Sequence, residues 1–453
     1  MKRTFTTALA AVIVLGACAS SGGKTASSHS STSTSSRTPV TVKGVGQGVS
    51  GAAVKVGIVM IDYSCIKDFV DSIRTQERQS WQLYVDNVNR RGGVAGGKKI
   101  VPVYKSYCPI ANASALQACT SLTEDDKVFA VIGSFYDPTG DAQACIAGQH
   151  HVPLISNTIG ESTIRKAPGG LIVSPDITPE RRLNVILSLL KKKRDILAGK
   201  KVAVVADSTA KPRVTAVVDP GLKALGVERG SDGLITVTGS DTTAAQSQLD
   251  SFIERWKTEQ VNALLLIGDD VSSKQFVEKI RGAIPGITLI ADTTGVLSGA
   301  QDEQKAGVKP NPYDGIITAE GQTGAEHQKT KHGAYCRGIW EKATGRTMPG
   351  PNDVVKAPGG KREDLYGEIE DGCLFTSMFA TIADRVGANL SSTNWATAVN
   401  NFGPIDDTST IYASVHAGKY DADDTYGLVA YDPTIPKLGD WRALTPVQNV
   451  GGP

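Results

Sequence analysis

The amino-acid sequence predicts an α/β protein with two doubly wound parallel-sheet lobes. Apolar runs of strand length alternate with helices whose apolar residues recur every three or four positions. One series begins at Val54–Ile61 (VKVGIVMI) and a second at Lys201–Ala206 (KVAVVA). Because apolar strands alternating with helices are typical of parallel sheets, two series in one chain indicate two lobes.

The individual elements follow the same two periodicities. The other predicted strands are Ile100–Tyr107, Phe129–Ser134, Val152–Ser156, Asn262–Gly268 and Thr288–Asp292. Helices are predicted around Trp81–Val88, Leu183–Leu190, Leu249–Trp256, Tyr335–Ala343 and Cys373–Val386. After these, Gly315–Ala319 is expected to cross between lobes, Met348–Asp364 to be a loop, and Ile411–Val415 and Gly427–Tyr431 to be strands.

The chain begins with a short leader that ends in Leu15-Gly16-Ala17-Cys18. Two basic residues precede an apolar run of about 10 residues, whereas a membrane-spanning helix needs about 20. The tetrapeptide resembles the lipobox of bacterial lipoproteins, in which the cysteine receives a diacylglyceryl anchor. The resemblance implies a signal peptide over residues 1–17 and lipidation of Cys18. An ordinary secreted protein with an incidental cysteine is the alternative.

Residues 18–51 are expected to tether the folded part of the chain to a membrane. From Ser20 to Thr38 the sequence is almost all Ser, Thr and Gly, which cannot bury enough apolar surface to fold. We therefore expect a lipid-anchored protein at the extracytoplasmic face of the cell membrane, in a periplasm or at a cell surface.

The charge balance argues against a nucleic-acid partner. The formal net charge is +2, and loss of Lys2 and Arg3 with the leader would leave 46 basic and 46 acidic residues. We find no basic stripe with interleaved aromatic residues. After the leader there is no apolar run near 18 residues, so no second membrane span is expected.

The cysteines suit an oxidising compartment. Six remain beside Cys18: Cys65, Cys108, Cys119, Cys145, Cys336 and Cys373. An even number suggests three disulfides, of which the sequence alone allows 15 pairings. No Cys-x-x-Cys pair is present, so a zinc site is poorly supported and no metal is expected.

Known catalytic signatures are missing from the sequence. There is no Gly-x-Ser-x-Gly elbow, His-Glu-x-x-His or phosphate loop, and the glycines of Gly44–Gly48 precede a strand instead of following one. His150 and His151 lie at a predicted helix end, and His327 and His332 are five residues apart. We therefore expect no enzyme, no catalytic residues and no cofactor.

Three stretches carry a family resemblance. They are VKVGIVMI, VDNVNRRGGVAGGKKI and VFAVIGSFYDPTGDAQACIAGQHHVPLISNT, and they are followed by KKVAVVADST, VNALLLIGDD and ADTTGV. In this order and spacing the chain, over roughly residues 52–435, resembles type I periplasmic solute-binding proteins of the Leu/Ile/Val-binding branch, which serve ABC importers.

The resemblance implies two lobes joined by three crossovers, with a ligand between them. The expected division is residues 52–175 and 320–405 for the first lobe, 176–319 and 406–440 for the second, and 441–453 as a tail. Ligands of parallel α/β sheets bind beyond the carboxyl ends of the strands, and this placement agrees. The expected partners are a small-molecule ligand and a membrane permease.

The candidate ligand-binding residues follow the predicted strand ends. They are Asp62, Tyr63, Ser134, Phe135, Tyr136, Asp137, Ser156, Asn157 and Thr158 in the first lobe, and Asp207, Lys211, Asp269, Asp270, Asp292 and Thr294 in the second. In the family, the loops matching 134–139 and 156–158 hold an amino-acid carboxylate. An acidic residue before Gly-Val pairs with the ammonium, and here Thr294 occupies that place. These departures indicate a more polar or cationic ligand than a branched-chain amino acid.

Three alternatives stay open at this point. Any one of the strand-end aspartates could instead cap the next helix. The chain could be the ligand-sensing part of a signalling system that acts through a separate membrane receptor. For the disulfides, Cys65 and Cys108 follow adjacent strands and could pair, Cys336 and Cys373 lie on consecutive helices, and Cys119 with Cys145 remains by exclusion.

Overall fold

The computed structural model describes residues 44–451 except 68, 69, 71, 138, 237–241, 269, 294, 322, 323, 352, 407 and 409. The predicted leader, the lipidation site Cys18 and most of the predicted tether lie outside these residues, as do Asp269 and Thr294. No helix of the described part combines the length and apolar character that crossing a bilayer requires.

The strands are numbered in chain order. They are β1 Ala53–Ile61, β2 Ser72–Ile73, β3 Lys99–Tyr107, β4 Ala130–Ile132, β5 Leu154–Ile155, β6 Ile172–Val173, β7 Lys201–Asp207, β8 Glu228–Arg229, β9 Gly233–Ile235, β10 Ala263–Ile267, β11 Thr288–Ala291, β12 Ile317–Glu320, β13 Val355–Lys356, β14 Arg362–Glu363, β15 Gly403–Pro404, β16 Ser414–Val415, β17 Thr425–Asp432, β18 Asp440–Ala443 and β19 Gln448–Asn449.

The α-helices are numbered in the same way. They are α1 Tyr63–Ile66, α2 Glu77–Arg90, α3 Asn112–Thr120, α4 Asp141–Ala144, α5 Glu161–Ile164, α6 Pro179–Lys192, α7 Lys211–Arg213, α8 Asp219–Leu225, α9 Thr242–Glu259, α10 Lys274–Ala283, α11 Gly295–Lys305, α12 Gly324–His327, α13 Lys331–Thr344, α14 Leu365–Val386 and α15 Ser392–Asn400.

Two sheets form the two lobes. The first has the order β3-β1-β4-β5-β6 with every pair parallel. The second has the order β18-β17-β12-β11-β10-β7-β8, parallel from β8 to β12 and antiparallel at β17 and β18. The predicted fold class, two doubly wound lobes, is confirmed. In each sheet the strand order reverses once, next to β1 and next to β7.

The buried strands explain why the pattern was readable in sequence. In β1, Val54, Val56, Ile58 and Val59 are all fully buried, as expected for a strand covered on both faces. Helix α6 buries Leu183, Ile186, Leu187 and Leu190, which form the predicted apolar stripe. The helix begins where the Thr178 hydroxyl accepts a hydrogen bond from the Arg181 amide and Pro179 occupies the first turn.

The lobe boundaries differ from the expected division in two places. Ala413, Val415 and Ala422 pack in the core of the first lobe, so the last return to the second lobe occurs at Asp423–Thr425 and not after residue 405. Residues expected to form a tail include β18 and β19, which pair with β17. Their packing explains the difference, because Trp441 is buried edge-on against Tyr431 at 6.3 Å. Short strands after a turn give little periodic signal.

A small extra sheet lies in the segment predicted to be a loop. Strands β13 and β14 pair with each other, and β14 pairs in parallel with β2. This arrangement brings residues 355–364 beside residues 72–76, far apart in the chain. The loop prediction for Met348–Asp364 therefore missed two short strands.

Candidate ligand site between the lobes

The carboxyl-terminal strand ends of both sheets carry the polar side chains. Loops after β1, β4 and β5 belong to the first lobe, and loops after β7, β10 and β11 to the second. The crossovers between lobes start at these same edges, because β6 and β12 end there and the antiparallel β17 begins there. The candidate site is therefore the space between these edges, which we call the cleft.

The wall of the first lobe begins at a tight turn after β4. Gly133 has φ +130°, and a Cβ at this residue would lie 2.5 Å from the Val59 carbonyl oxygen, so only glycine fits beside β1. The turn presents Ser134, whose hydroxyl donates to Asp371 Oδ2 at 3.0 Å and accepts from Asn157 Nδ2 at 3.2 Å. Two predicted residues thus contact each other, and Ser134 links them to Asp371, which was not predicted.

Arg74 extends this network along the wall. Its guanidinium lies 2.6 Å from Asp371 Oδ2, 2.9 Å from Asp364 Oδ2 and 3.6 Å from Glu77 Oε1. These carboxylates raise the pKa of Arg74 although burial opposes the charge, whereas burial is the main reason that the pKa of Glu77 rises to about 7. Burial also raises the pKa of the neighbouring Tyr63 phenol, with these charged groups around it.

Four predicted residues of the first lobe shape the loops around the site. Asp62 caps α1 by accepting from the Ser64 amide at 2.9 Å, and buried Asp137 accepts from the Ala142 amide at 2.7 Å. Phe135 is fully buried, and its amide donates to the buried Ser156 hydroxyl at 3.0 Å. These contacts are those of residues that support the loops structurally.

Tyr136 and Thr158 are the exposed members of the predicted first-lobe set. The Tyr136 side chain is 39% exposed, while its amide donates to the Tyr107 hydroxyl at 2.6 Å. Thr158 has φ +57°, an unusual value for a threonine, in the loop after β5. Both belong to loops that border the cleft.

The wall of the second lobe is built from β7, β10 and β11. Asp207 accepts from the Ala210 amide at 2.9 Å, and Asp292 accepts from the Gly268 amide at 2.8 Å. Gly268 has φ +114°, and a Cβ there would lie 2.1 Å from Asp207 Oδ2, so the two aspartates are held close together. Arg213 Nη2 lies 3.9 Å from Asp292, and Lys211 is exposed. For Asp270 only the backbone is described.

The three crossovers between the lobes form what we call the floor of the cleft. They contribute a group of carboxylates to it. Asp176 lies between β6 and α6, Glu320 ends β12, and Asp423 precedes β17, so each crossover contributes one. The Arg182 guanidinium lies near them: it donates to the Ala319 carbonyl at 3.1 Å and lies over the Tyr426 ring at 5.4 Å. We call Asp176, Glu320 and Asp423 the crossover acids.

Asp176 lies close enough to Glu320 and Asp423 to raise the pKa of both. Water reaches Asp176 from the cleft, yet protein surrounds it on its other sides, so burial and then Asp371 raise its pKa to about 6. Burial, together with Asp176 and Glu320, raises the pKa of Asp423 to about 7. Burial raises the pKa of Glu320 as well, against the opposing effect of Arg182.

Three disulfides fix the first lobe. They join Cys65 to Cys108, Cys119 to Cys145 and Cys336 to Cys373, the three pairs expected from the positions in the sequence. The first ties the loop after β1, which carries Tyr63, to the end of β3. It therefore supports the rim of the cleft.

Sequence reasoning missed the charged residues that do not follow a predicted strand. Arg74, directly after β2, and Asp371, in α14, are nearly 300 residues apart in the chain, and nothing in either local pattern predicts their contact. Asp176, Glu320 and Asp423 lie on crossovers whose positions were predicted only roughly. The sequence feature that could have identified them is that each is an acidic residue beside a lobe boundary.

The chain belongs to the periplasmic binding protein family. A family model of that description matches residues 69–354, which is more than half of the chain. The match agrees with the two-lobed fold and with the expectation of a binding protein. No curated protein sequence matches the chain.

Solved structures of similar fold come from several bacteria. A solute-binding protein of an ABC transporter from Rhodopseudomonas palustris, in complex with 3,4-dihydroxybenzoic acid, is 17% identical with a TM-score of 0.59, covering 88% of this chain and 98% of that one. A substrate-binding protein from Desulfitobacterium hafniense in complex with Leu is 12% identical, with a TM-score of 0.58 and coverage of 86% and 100%. A leucine-binding protein from Thermotoga maritima is 12% identical, with a TM-score of 0.59 and coverage of 88% and 99%. At these identities the likeness is one of fold.

Proposed function

We propose that this protein is the lipid-anchored, extracytoplasmic solute-binding component of an ABC importer. It captures a small polar solute, such as an amino acid, an amide or a related compound, between its two lobes. The observation that carries the proposal is that, in a periplasmic binding protein, polar residues follow the carboxyl-terminal strand ends of two sheets that three crossovers connect. The similar structures described as ABC transporter proteins, with bound Leu or dihydroxybenzoic acid, support it.

Capture works by closure of the lobes about the crossovers. The crossovers are tied together: the Ser174 amide donates to the Tyr420 carbonyl, and the Ala422 amide donates back to the Ser174 carbonyl. Arg181 forms ion pairs with Asp421 at 2.8 Å and Asp424 at 3.1 Å. These contacts align the crossovers, so that closure is a rotation of two rigid lobes.

The anchor supports delivery to the permease. A tether from Cys18 keeps the loaded domain near the membrane and raises its local concentration there without new contacts. Metabolic labelling with a radioactive fatty acid tests this part: label should enter the wild-type chain and be absent from the Cys18→Ala variant.

Thermal unfolding of residues 51–453 with candidate solutes tests the capture itself. The domain is first unfolded and refolded to remove bound compounds. A solute at 1,000 times its dissociation constant should raise the free energy of unfolding by about 4 kcal/mol. Recovery of the solute unchanged after long incubation argues against an enzyme. Co-purification of the full chain with a permease supports import, whereas co-purification with a histidine kinase supports the alternative role as a sensor.

A further inference from the structure

Negative charge exceeds positive charge on the floor of the cleft. The crossover acids Asp176, Glu320 and Asp423 lie there together with Asp371 of the first-lobe wall, which is near enough to raise the pKa of Asp176. Each of the three connections between the lobes supplies one of these carboxylates. A ligand held at the floor therefore meets carboxylates from the first-lobe wall and from the crossovers.

The guanidinium groups near the floor are already committed to protein partners. Arg182 donates to the Ala319 carbonyl and stacks on Tyr426, while Arg74 is paired with Asp364 and Asp371. The Ser134 hydroxyl, which the family resemblance assigns to a ligand carboxylate, donates to Asp371 instead. An anionic ligand at this place would have to displace a carboxylate that already holds these donors.

Asp176 is the carboxylate of this group that is available to bind a ligand. Among the described residues it accepts no side-chain hydrogen bond and forms no ion pair within 4 Å. Only its backbone is engaged, through two hydrogen bonds with the Ser174 hydroxyl. Its side chain is open to the cleft, where a cation would gain most from pairing with it.

We propose that the ligand has a net positive charge, as a diamine, a guanidine or a cationic amino acid does, and that Asp176 binds its cationic group. Asp371, Glu320 and Asp423 then supply the negative potential around that group. The inference rests on the proposed capture of a solute in the cleft. It separates this chain from carriers of neutral or acidic solutes.

The raised pKa values of the carboxyl groups at the floor agree with a cationic ligand. Burial raises the pKa of Asp176 to about 6 and that of Asp423 to about 7, so both groups lose their protons at a higher pH than an exposed aspartate does. A bound cation would favour their charged forms and release protons, with Asp371, Glu320, Arg182 and Tyr426 facing the same space. Binding should accordingly be tighter at pH 8 than at pH 5.5.

The test compares three groups of compounds on the refolded domain by calorimetry. The cations are putrescine, agmatine, L-arginine and L-lysine, the neutral compounds are L-leucine, L-glutamine and urea, and the anions are L-glutamate and 4-hydroxybenzoate. A cation should bind most tightly, and Asp176→Asn should weaken it at least tenfold. Asp314→Asn is the matched control, because Asp314 is exposed and lies before β12, at the opposite edge of the second sheet. It should change the affinity less than twofold.

Failure of the inference differs from failure of the proposed function. Tighter binding of a neutral or anionic compound, or equal effects of the two substitutions in folded variants, overturns the cationic ligand and leaves solute capture intact. If none of the compounds binds, native mass spectrometry of the full chain identifies the solute that co-purifies, and its net charge decides. The absence of any solute counts against capture itself.

Discussion

Ser134 donates a hydrogen bond to Asp371 at 3.0 Å, and this contact joins the loop after β4 to the long helix α14. The same carboxylate oxygen lies 2.6 Å from Arg74, so one aspartate links three separate segments of the first lobe. The loop after β4 is thus positioned by a charged network and not by apolar packing alone.

Replacing Asp371 with Asn should therefore loosen this wall. Arg74 would lose its closest partner while remaining largely buried, and we expect the free energy of unfolding to fall by about 1–2 kcal/mol. Urea denaturation measures the change. Asp195→Asn removes the same charge from a surface ion pair with Lys193 and should leave the midpoint unchanged. Equal midpoints for the two variants would show that the Asp371 network contributes little.

The glycine after β4 should be irreplaceable. In Gly133→Ala, the new Cβ meets the Val59 carbonyl oxygen and the backbone has φ +130°, so we expect a loss of about 2 kcal/mol or more and weaker solute binding. Gly282→Ala is the control, because this helical glycine has open space around it and alanine favours the helix. A stable Gly133→Ala variant with normal affinity would contradict the role of this turn.

Burial of Glu368 should make stability depend on pH. The side chain is fully buried beside the carboxyl of Glu363 and accepts from the Gln76 amide at 3.0 Å, and burial raises its pKa to about 9. The folded protein thus keeps a proton that the unfolded chain releases above pH 4.5, so this group lowers stability progressively as the pH rises to about 9.

Glu368→Gln should remove that dependence. The variant and the wild type should be similar near pH 4, and the variant should be more stable at pH 8 by about 1–3 kcal/mol. Denaturation midpoints between pH 4 and 9 measure the divergence. Exposed Glu228, paired with Lys201, serves as the control site, where substitution by Gln should leave the slope nearly unaltered. Parallel curves for wild type and Glu368→Gln would refute the buried proton.

The disulfide at the rim should affect binding as well as stability. Removing Cys65–Cys108 by double substitution with Ser should cost about 2–4 kcal/mol and weaken solute binding, because it frees the loop that carries Tyr63. The Cys119–Cys145 double variant should lose a similar amount of stability with normal affinity, since it joins α3 to the helical segment after α4. Equal affinities in both variants would contradict a role for the rim. Peptide mapping without reduction checks the pairings.

The fold was readable from sequence because its signal is local and repeated. Strands such as β1 and β10 are continuous apolar runs, and α6 shows its buried face at regular spacing. The three disulfide pairs suggested from the sequence, one of them by exclusion only, are those of the structure. The type of element was predicted well, whereas the ends of short strands were not.

The charged network of the candidate site could not be predicted from the sequence in the same way. Asp371 lies in the first turns of a helix, and Arg74 follows a two-residue strand, so neither position has a local pattern that signals contact with the other. Prediction from strand ends found Ser134 and Asn157, whose side chains form a hydrogen bond. It also found Asp62 and Asp137, whose carboxylates accept hydrogen bonds from nearby backbone amides. Distinguishing these roles requires the three-dimensional arrangement.

All six cysteines of the folded part lie in the first lobe, and the sequence has none between Cys145 and Cys336. Oxidation therefore reinforces one half of the molecule only. Before export, a newly made chain in a reducing cytoplasm would lack all three links, and we expect its first lobe to remain loosely folded while the second can already form. Hydrogen exchange on the reduced chain would show this as protection lost in one lobe alone. Folding of the first lobe would then be completed only when the disulfides form, after the chain has crossed the membrane.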